Sequence, residues 1–190
     1  MGDNRFEAEV RAVVPEYFKE RLISQGAIVG ENNPYRDDYY KPIHQKWDPE
    51  TITMRLRKKE RKDFVEILFS KVEYFEKEGL RIKRSLYPGG KVRIFSGKEK
   101  TAKKLLNDCG FEYWFTVKKP YSAVCKFKEI EFSLENVKDF GWTIEIEGDG
   151  KYPEKAILDL WYKIKRLGIG KEQLIYTSLP KAVAVKKGLF

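Results

Sequence analysis

Charged residues alternate with apolar residues in several segments of the chain, and this spacing constrains the fold more than any other feature. Two Glu-x-Glu pairs have it, Glu7-Ala8-Glu9 near the start and Glu145-Ile146-Glu147 near residue 150. Successive side chains of a β-strand point to opposite faces of a sheet, so each pair can aim two carboxylates at one place. Arg55-Leu56-Arg57 repeats the spacing with the opposite charge. We therefore expect strands whose charged face is equipped to bind a metal ion and a polyanion together.

The predicted elements indicate an α+β fold in which most strands are joined by short turns. This order favours an antiparallel sheet over the regular alternation of strand and helix in a doubly wound fold. Because closure removes exposed sheet edges, we expect a closed or nearly closed barrel with helices packed outside, in a single domain of residues 1–190. The predicted strands are 5–14, 38–40, 51–58, 63–72, 79–87, 91–95, 112–119, 122–134 and 141–148, and the predicted helices are 15–25, 98–108 and 153–166.

The charge balance favours an anionic partner. The chain has 38 Lys and Arg against 29 Asp and Glu, a net charge of +9. Nucleotides, polyphosphates, nucleic acid and acidic membrane surfaces all fit this balance. No apolar run approaches the roughly 20 residues of a membrane span, and no signal peptide is recognisable, so we expect a cytosolic protein without a membrane partner. Cys109 and Cys125 match no zinc motif and are expected to be free, buried thiols in a reducing compartment.

The residue types also limit the chemistry of a site. His44 is the only histidine, so the chain has few ligands for zinc or copper and little basis for Ser-His or Cys-His catalysis. Carboxylates, in contrast, suit Mg²⁺ or Mn²⁺. Gly168-Ile169-Gly170-Lys171 is too short for a Walker A loop. Alternating charge on a single strand usually marks a face exposed to solvent. Two pure Glu pairs and one pure Arg pair make a shared charged interior an equally good interpretation of the pattern.

Taken in order, these motifs resemble the CYTH family, the triphosphate tunnel metalloenzymes that include class IV adenylyl cyclases and thiamine triphosphatases. The resemblance spans nearly the whole chain. The segment Glu7-Ala8-Glu9-Val10-Arg11 is similar to the Glu-x-Glu-x-Lys motif that opens the family's sequences, with Arg in place of Lys. Further matches are Asp38-Tyr39-Tyr40, Arg55-Leu56-Arg57, Lys71, Gly110-Phe111, Val117-Lys118-Lys119, Leu134-Glu135-Asn136-Val137, Phe140-Gly141 and Glu145-Ile146-Glu147-Gly148.

The resemblance implies an eight-stranded antiparallel tunnel that binds a triphosphate together with Mg²⁺ or Mn²⁺. It implies catalytic roles for Glu9, Glu147 and Lys71. The implied metal ligands are Glu7, Glu9, Glu135, Glu145 and Glu147. The implied phosphate-binding residues are Arg11, Arg55, Arg57, Lys71, Arg81 and Lys119, to which Lys83 is added if it shares the face of Arg81.

Two segments depart from the family pattern. Where the family commonly has Arg-x-Glu-x-Glu, this chain has Arg81-Ile82-Lys83-Arg84-Ser85, so a cation stands where an acid is usual. Pro120-Tyr121 follows Lys119 where another arginine is usual. The first departure predicts a site that binds fewer metal ions and tolerates anions without them.

The expected function is that of a metal-dependent phosphohydrolase acting on inorganic, thiamine or nucleoside triphosphate. A metal-bound water would attack the terminal phosphorus. A class IV adenylyl cyclase, which forms cyclic AMP from ATP, is the nearest alternative, because both activities use the same carboxylates and cations. A non-catalytic polyanion or RNA-binding module is a less favoured class, and the oligomeric state is left open, a homodimer included.

Overall fold

The computed structural model describes residues 8–87, 90–149 and 152–190, and Glu7 lies outside these ranges. They contain four α-helices, twelve strands and one short 3-10 helix, Lys171–Gln173. The helices are α1 Phe18–Ser24, α2 Glu99–Asp108, α3 Pro153–Arg166 and α4 Leu179–Lys186. The strands are β1 Ala8–Val14, β2 Ile28–Val29, β3 Tyr35–Pro42, β4 Ile52–Lys59, β5 Val65–Lys77, β6 Leu80–Ser85, β7 Val92–Gly97, β8 Phe111–Lys119, β9 Tyr121–Phe127, β10 Ile130–Val137, β11 Gly141–Gly148 and β12 Leu174–Ile175.

The strands form an antiparallel sheet, as the short connections predict. Hydrogen-bonded neighbours follow the order β2-β9-β10-β11-β1-β6-β5-β4-β3-β8, while β12 pairs with β1 and β7 pairs with β5. The order has two ends, β2 and β8. The α+β class with an antiparallel sheet is therefore confirmed, and the closed eight-stranded barrel is not.

The chain divides into two compact units. The first unit consists of the described residues within Met1–Asn32, Glu73–Arg84 and Ser122–Tyr176. The second unit consists of those within Asn33–Val72, Ser85–Tyr121 and Thr177–Phe190. Each unit has its own apolar side and its own charged side.

In the first unit, the apolar side of β1 and β11 packs under helix α3. Ala8, Val10 and Ala12 alternate with charged residues along β1 and are buried, and Ile144 and Ile146 are fully buried on β11. Helix α3 begins at Pro153, where a missing N–H costs nothing, and buries Ile157, Leu160 and Ile164. The helix approaches β11 closely at Gly148, where an added Cβ would lie 2.6 Å from the Ala156 carbonyl oxygen.

In the second unit, the apolar side of β3, β4 and β5 packs against helix α2. Tyr40, Met54, Leu56, Val65 and Ile67 form a buried cluster with Ala102 and Leu106 of the helix. Trp47, Phe69 and Phe95 pack on the edge of this cluster. The alternate residues of the same strands are then left for the opposite face, which carries the charged groups.

Three features of the fold differ from the sequence-based expectation. The single strand predicted over 122–134 is two strands, β9 and β10, joined by a turn in which Lys128 has a φ of 56°. The short strands β2 and β12 and helix α4 were not predicted. The N-terminus of α4 is capped by the Ser178 hydroxyl, which accepts a hydrogen bond from the Lys181 N–H at 3.2 Å.

The two cysteines are free thiols, as expected. Cys125 is buried as predicted, and burial raises the pKa of its thiol to about 11, whereas Cys109 is exposed and the prediction that it is buried was wrong. In the described ranges, none of the helices combines the length and the apolar character needed to cross a membrane.

Candidate functional site

The first unit places the predicted acidic residues of β1, β10 and β11 on one face. Strand pairing sets Glu9 opposite Glu147 and Arg11 opposite Glu145. Glu135 stands opposite Thr143 on the neighbouring strand pair. Because directly paired residues of antiparallel strands point to the same face, these side chains share the side of the sheet that faces away from α3.

Arg11 lies at the centre of this face. Its guanidinium donates to the Glu135 carboxylate at 2.5 Å and to the Thr143 hydroxyl at 3.2 Å, and it also forms an ion pair with Glu145. The Arg11 side chain is only 10% exposed and that of Glu135 only 6%. Charge-assisted hydrogen bonds between side chains with so little solvent exposure fix the orientation of both partners. Arg11, expected to bind phosphate, is thus engaged by two of the expected metal ligands.

Glu9 is held by Lys83, the residue that departs from the family pattern. Lys83 stands opposite Glu9 on the neighbouring strand β6, and its ammonium donates to the Glu9 carboxylate. Leu80 and Ile82 are buried, so alternation directs Lys83 to the charged face. Burial opposes the ionisation of Glu9, but Lys83 and Arg11 outweigh it, so the pKa of Glu9 lies below its ordinary value.

The described carboxylates of this face are the right type of donor for Mg²⁺ or Mn²⁺ but do not form a ready ligand set. Among the described residues, no three His, Cys, Asp or Glu side chains lie close enough together to hold a metal ion. Glu9, Glu135 and Glu145 each contact a cationic side chain instead. As arranged, therefore, these residues do not fit a bound divalent cation. Glu7, an expected ligand, lies outside the described residues.

In the second unit, the charged face of β3, β4 and β8 is organised by Asp37. Arg57 donates two hydrogen bonds to the Asp37 carboxylate, at 2.7 and 2.6 Å, and the Arg55 guanidinium lies 3.6 Å from it. Asp37 is 2% exposed. Burial would raise the pKa of this carboxyl, but Arg57 and Arg55 lower it below the ordinary value. The same ion pair holds the pKa of Arg57 above its ordinary range despite burial.

Tyr35 and two lysines complete this cluster. The Arg57 guanidinium lies over the Tyr35 ring, 4.2 Å from its centroid, and the buried Lys119 donates to the Tyr35 hydroxyl at 2.6 Å. Lys91 is an exposed residue, but partial burial of its ammonium group, together with the charges of Arg57 and Arg55, lowers the pKa of that group. We call Arg55, Arg57, Lys91, Lys119 and Asp37 the cation cluster. Its cations outnumber its single carboxylate, so it is suited to an anionic ligand.

Two further predicted site residues, Lys71 and Glu147, are exposed. Lys71 is exposed and stands opposite Ile52, on the same face of β4 and β5 as Met54 and away from Arg55 and Arg57. Its predicted catalytic and phosphate-binding role gains no support from this position. Glu147 is exposed on β11.

Arg81 shares the strand and, by alternation, the face of Lys83. Its guanidinium donates to the Tyr176 carbonyl and lies over the Tyr74 ring, 4.3 Å from the centroid. A stacked arginine with a backbone acceptor is fixed in place, and in this arrangement its contacts are to protein groups. Its role toward phosphate stays a prediction.

Sequence reasoning missed Asp37 and Lys91. The adjacent pair Asp37-Asp38 puts one acid on each face of β3, and the motif comparison used Asp38, whose carboxylate accepts from the Thr116 hydroxyl at 2.6 Å. Asp37 is two residues from both Tyr35 and Tyr39, and this spacing could have indicated that the three side chains share one face of β3. Lys91 follows Pro88-Gly89-Gly90 in the sequence, which held no comparable signal for it.

Comparison with known proteins finds relatives by fold and not by sequence. No family model matches the chain, and no curated protein matches its sequence. Among solved structures, a protein of Pyrococcus horikoshii has a TM-score of 0.71 at 18% identity, over 95% of this chain and 99% of its own. A candidate adenylate cyclase of Vibrio parahaemolyticus has a TM-score of 0.64 at 16% identity, over 94% and 98%. An adenylyl cyclase candidate of Hippeastrum, described as having a dominant triphosphatase activity, has a TM-score of 0.63 at 13% identity, over 97% and 96%.

These likenesses cover nearly the full length of both chains in each comparison. The resemblance to the CYTH group predicted from the order of motifs is therefore confirmed for the fold. At these identities the comparison concerns the arrangement of the backbone, and the activity has to be argued from the side chains.

Proposed function

We propose that this protein is a triphosphate-processing enzyme, and that its leading activity is hydrolysis of a triphosphate. The observation that carries the proposal is the cation cluster, in which the buried carboxylate of Asp37 holds two arginines and the Tyr35 side chain contacts both Arg57 and the buried Lys119. The fold shared with the Hippeastrum protein, which is described as a triphosphatase, agrees with this chemistry.

The cluster favours an extended polyanion over a single phosphate group. Guanidinium groups present several donors in a fixed plane, and each arginine can pair with two phosphate oxygens. Asp37 neutralises only part of the positive charge of Arg55 and Arg57, so the two guanidinium groups still repel each other. A ligand with several negative oxygens relieves this repulsion and gains a charge-assisted contact at each cation.

The cations also suit the chemistry of phosphoryl transfer. Negative charge on the phosphoryl oxygens and on the leaving group is stabilised by donors that are already oriented before the reaction. Arg57 is oriented by two hydrogen bonds and by the Tyr35 ring, so little reorganisation is needed when a phosphate binds. A requirement for Mg²⁺ or Mn²⁺ stays a prediction from the sequence, because the described carboxylates of the first unit do not form a ligand set for either ion as arranged.

Formation of cyclic AMP from ATP is the second candidate activity. It is favoured by the fold shared with the Vibrio protein, a candidate adenylate cyclase. The two activities differ in which phosphorus is attacked, so their products separate them. A hydrolase releases phosphate or pyrophosphate by attack of water, whereas a cyclase releases pyrophosphate and leaves a cyclic nucleotide.

Product analysis tests the proposal. The purified protein is incubated with inorganic triphosphate, thiamine triphosphate or ATP in the presence of Mg²⁺, Mn²⁺ or a chelator, and the products are separated by ion-exchange chromatography. We expect phosphate release from at least one triphosphate, and little of it in Lys91→Met. The matched control is Lys100→Met, which removes an exposed lysine of helix α2.

Release of cyclic AMP with pyrophosphate would assign the second activity instead. Absence of any product under all metal conditions, with retained binding of triphosphate or RNA, would contradict an enzyme and favour a polyanion-binding module. Dependence of turnover on Mg²⁺ or Mn²⁺ in the same assay decides the metal requirement.

A further inference from the structure

A row of three charged residues crosses three neighbouring strands of the first unit. Lys83 of β6 stands opposite Glu9 of β1, and Glu9 stands opposite Glu147 of β11. The Lys83 ammonium is in contact with the Glu9 carboxylate. Arg11, which is two residues after Glu9 on β1, is in contact with both Glu135 and Glu145. The acidic face therefore carries its own cations, each fixed at a carboxylate by strand pairing.

We infer that the Lys83 ammonium takes the place of a divalent cation at Glu9 and keeps the affinity of this carboxylate face for free divalent metal ions low. The inference refines the metal requirement of the proposed function. It concerns the resting protein, before any triphosphate is bound.

The position of Lys83 is imposed by the fold and is not a chance contact of a flexible side chain. Its neighbours in β6, Leu80 and Ile82, are 1% and 0% exposed, so the strand cannot slip by one residue without bringing Ile82 to the charged face. The Lys83 side chain is itself 31% exposed, and that of Glu9 is 21% exposed. Salt therefore screens this ion pair less than it screens a fully exposed pair.

A divalent ion that binds Glu9 has to displace this ammonium or share the carboxylate with it. Displacement leaves a lysine charge on a partly buried face without its acidic partner, and sharing places two cations at one carboxylate, where they repel each other. Magnesium adds a further cost because it gives up its water ligands reluctantly. Both routes weaken the binding of metal, and neither changes the number of carboxylates present.

The experiment measures Mn²⁺ affinity directly, by electron paramagnetic resonance of the free ion, on the full chain without any phosphate ligand. We expect weak binding by the wild type, and at least about tenfold tighter binding by Lys83→Met, which frees the Glu9 carboxylate. Lys83→Arg keeps the charge and is expected to bind Mn²⁺ as weakly as the wild type. Arg84→Met removes an exposed cation of the same strand and is expected to leave the affinity within about twofold of the wild type.

Equal Mn²⁺ affinity in the wild type and in Lys83→Met would overturn the inference, as would equal gains in Lys83→Met and Arg84→Met. Lys83→Gln, which retains a hydrogen-bond donor toward Glu9, replaces the methionine variant if the latter does not fold. Because the measurement uses neither triphosphate nor turnover, a protein that hydrolyses no triphosphate could still support the inference, so the two proposals fail independently.

Discussion

At the scale of single residues, the distinction between Asp37 and Asp38 is the finding that changes the site most. Both carboxylates are buried, at 2% and 7% exposure, but they lie on opposite faces of β3. Asp37 holds the arginine pair, whereas Asp38 accepts from Thr116 and pairs with Arg36 at 3.3 Å. Alternation alone could not decide which aspartate faces the arginines, because either assignment leaves one acid on each side. The pairing of Asp37 with Arg57 decides it.

The ion pair of Asp37 predicts a matched pair of stability effects. Asp37→Asn leaves two guanidinium groups without their carboxylate in a mostly buried position, and removing one partner of a buried pair typically costs roughly 3–5 kcal/mol. Asp38→Asn keeps a side chain of the same shape and loses one charge-assisted bond, so a smaller loss of about 1–2 kcal/mol is expected. Urea unfolding at neutral pH measures both. A loss for Asp38→Asn equal to that for Asp37→Asn would contradict the central position of Asp37.

The pH dependence of stability should also change in Asp37→Asn. The pKa of Asp37 is lower in the folded protein than in the unfolded chain, so its contribution to stability is present above its unfolded pKa and is lost as the pH falls through the folded pKa. Asp37→Asn should therefore lose less stability on acidification than the wild type. An unchanged acid dependence in this variant would show that Asp37 does not titrate as described.

At the scale of elements, the apolar and charged faces of most strands could be predicted from the sequence. The alternation in β1 and β11 predicts which residues pack under α3, and Ile144 and Ile146 are fully buried as expected. The face of Lys71 could not be predicted, because the preceding run Ile67-Leu68-Phe69 is apolar on both sides and gives no alternation. The turn between β9 and β10 was missed because Lys128 adopts a left-handed conformation at a position without Gly or Asn.

The close contact between α3 and β11 predicts a specific cost at Gly148. An added methyl group would meet the Ala156 carbonyl oxygen and the Leu160 Cγ atom, both at 2.6 Å, and the first of these is backbone that cannot rotate away. Gly148→Ala should therefore lower the free energy of unfolding by about 1–3 kcal/mol, the usual cost of overpacking. Chemical denaturation measures the change. A neutral or stabilising effect would show that the helix does not rest on β11 this closely.

At the scale of the whole molecule, the order of motifs along the chain predicts the fold better than any single motif does. Full-length likeness to proteins at 13–18% identity agrees with that order. Closure of the sheet could not be predicted in the same way, because it depends on the pairing of strands far apart in the sequence and local alternation carries no information about it. The ion pairs of Arg11 and Lys83 with the predicted metal ligands could not be predicted either, since these contacts appear only when the strands are paired.

The central claim is that the protein recognises a triphosphate, and isothermal titration calorimetry with inorganic triphosphate and with orthophosphate tests it most directly. Charge-assisted contacts to phosphate contribute roughly 1.5–3 kcal/mol each, and an extended anion makes at least two more of them than orthophosphate does. The expected result is a preference for triphosphate of at least about a hundredfold, which corresponds to about 2.7 kcal/mol. Equal affinities for the two ligands, or no binding of triphosphate with or without Mg²⁺, would contradict the claim.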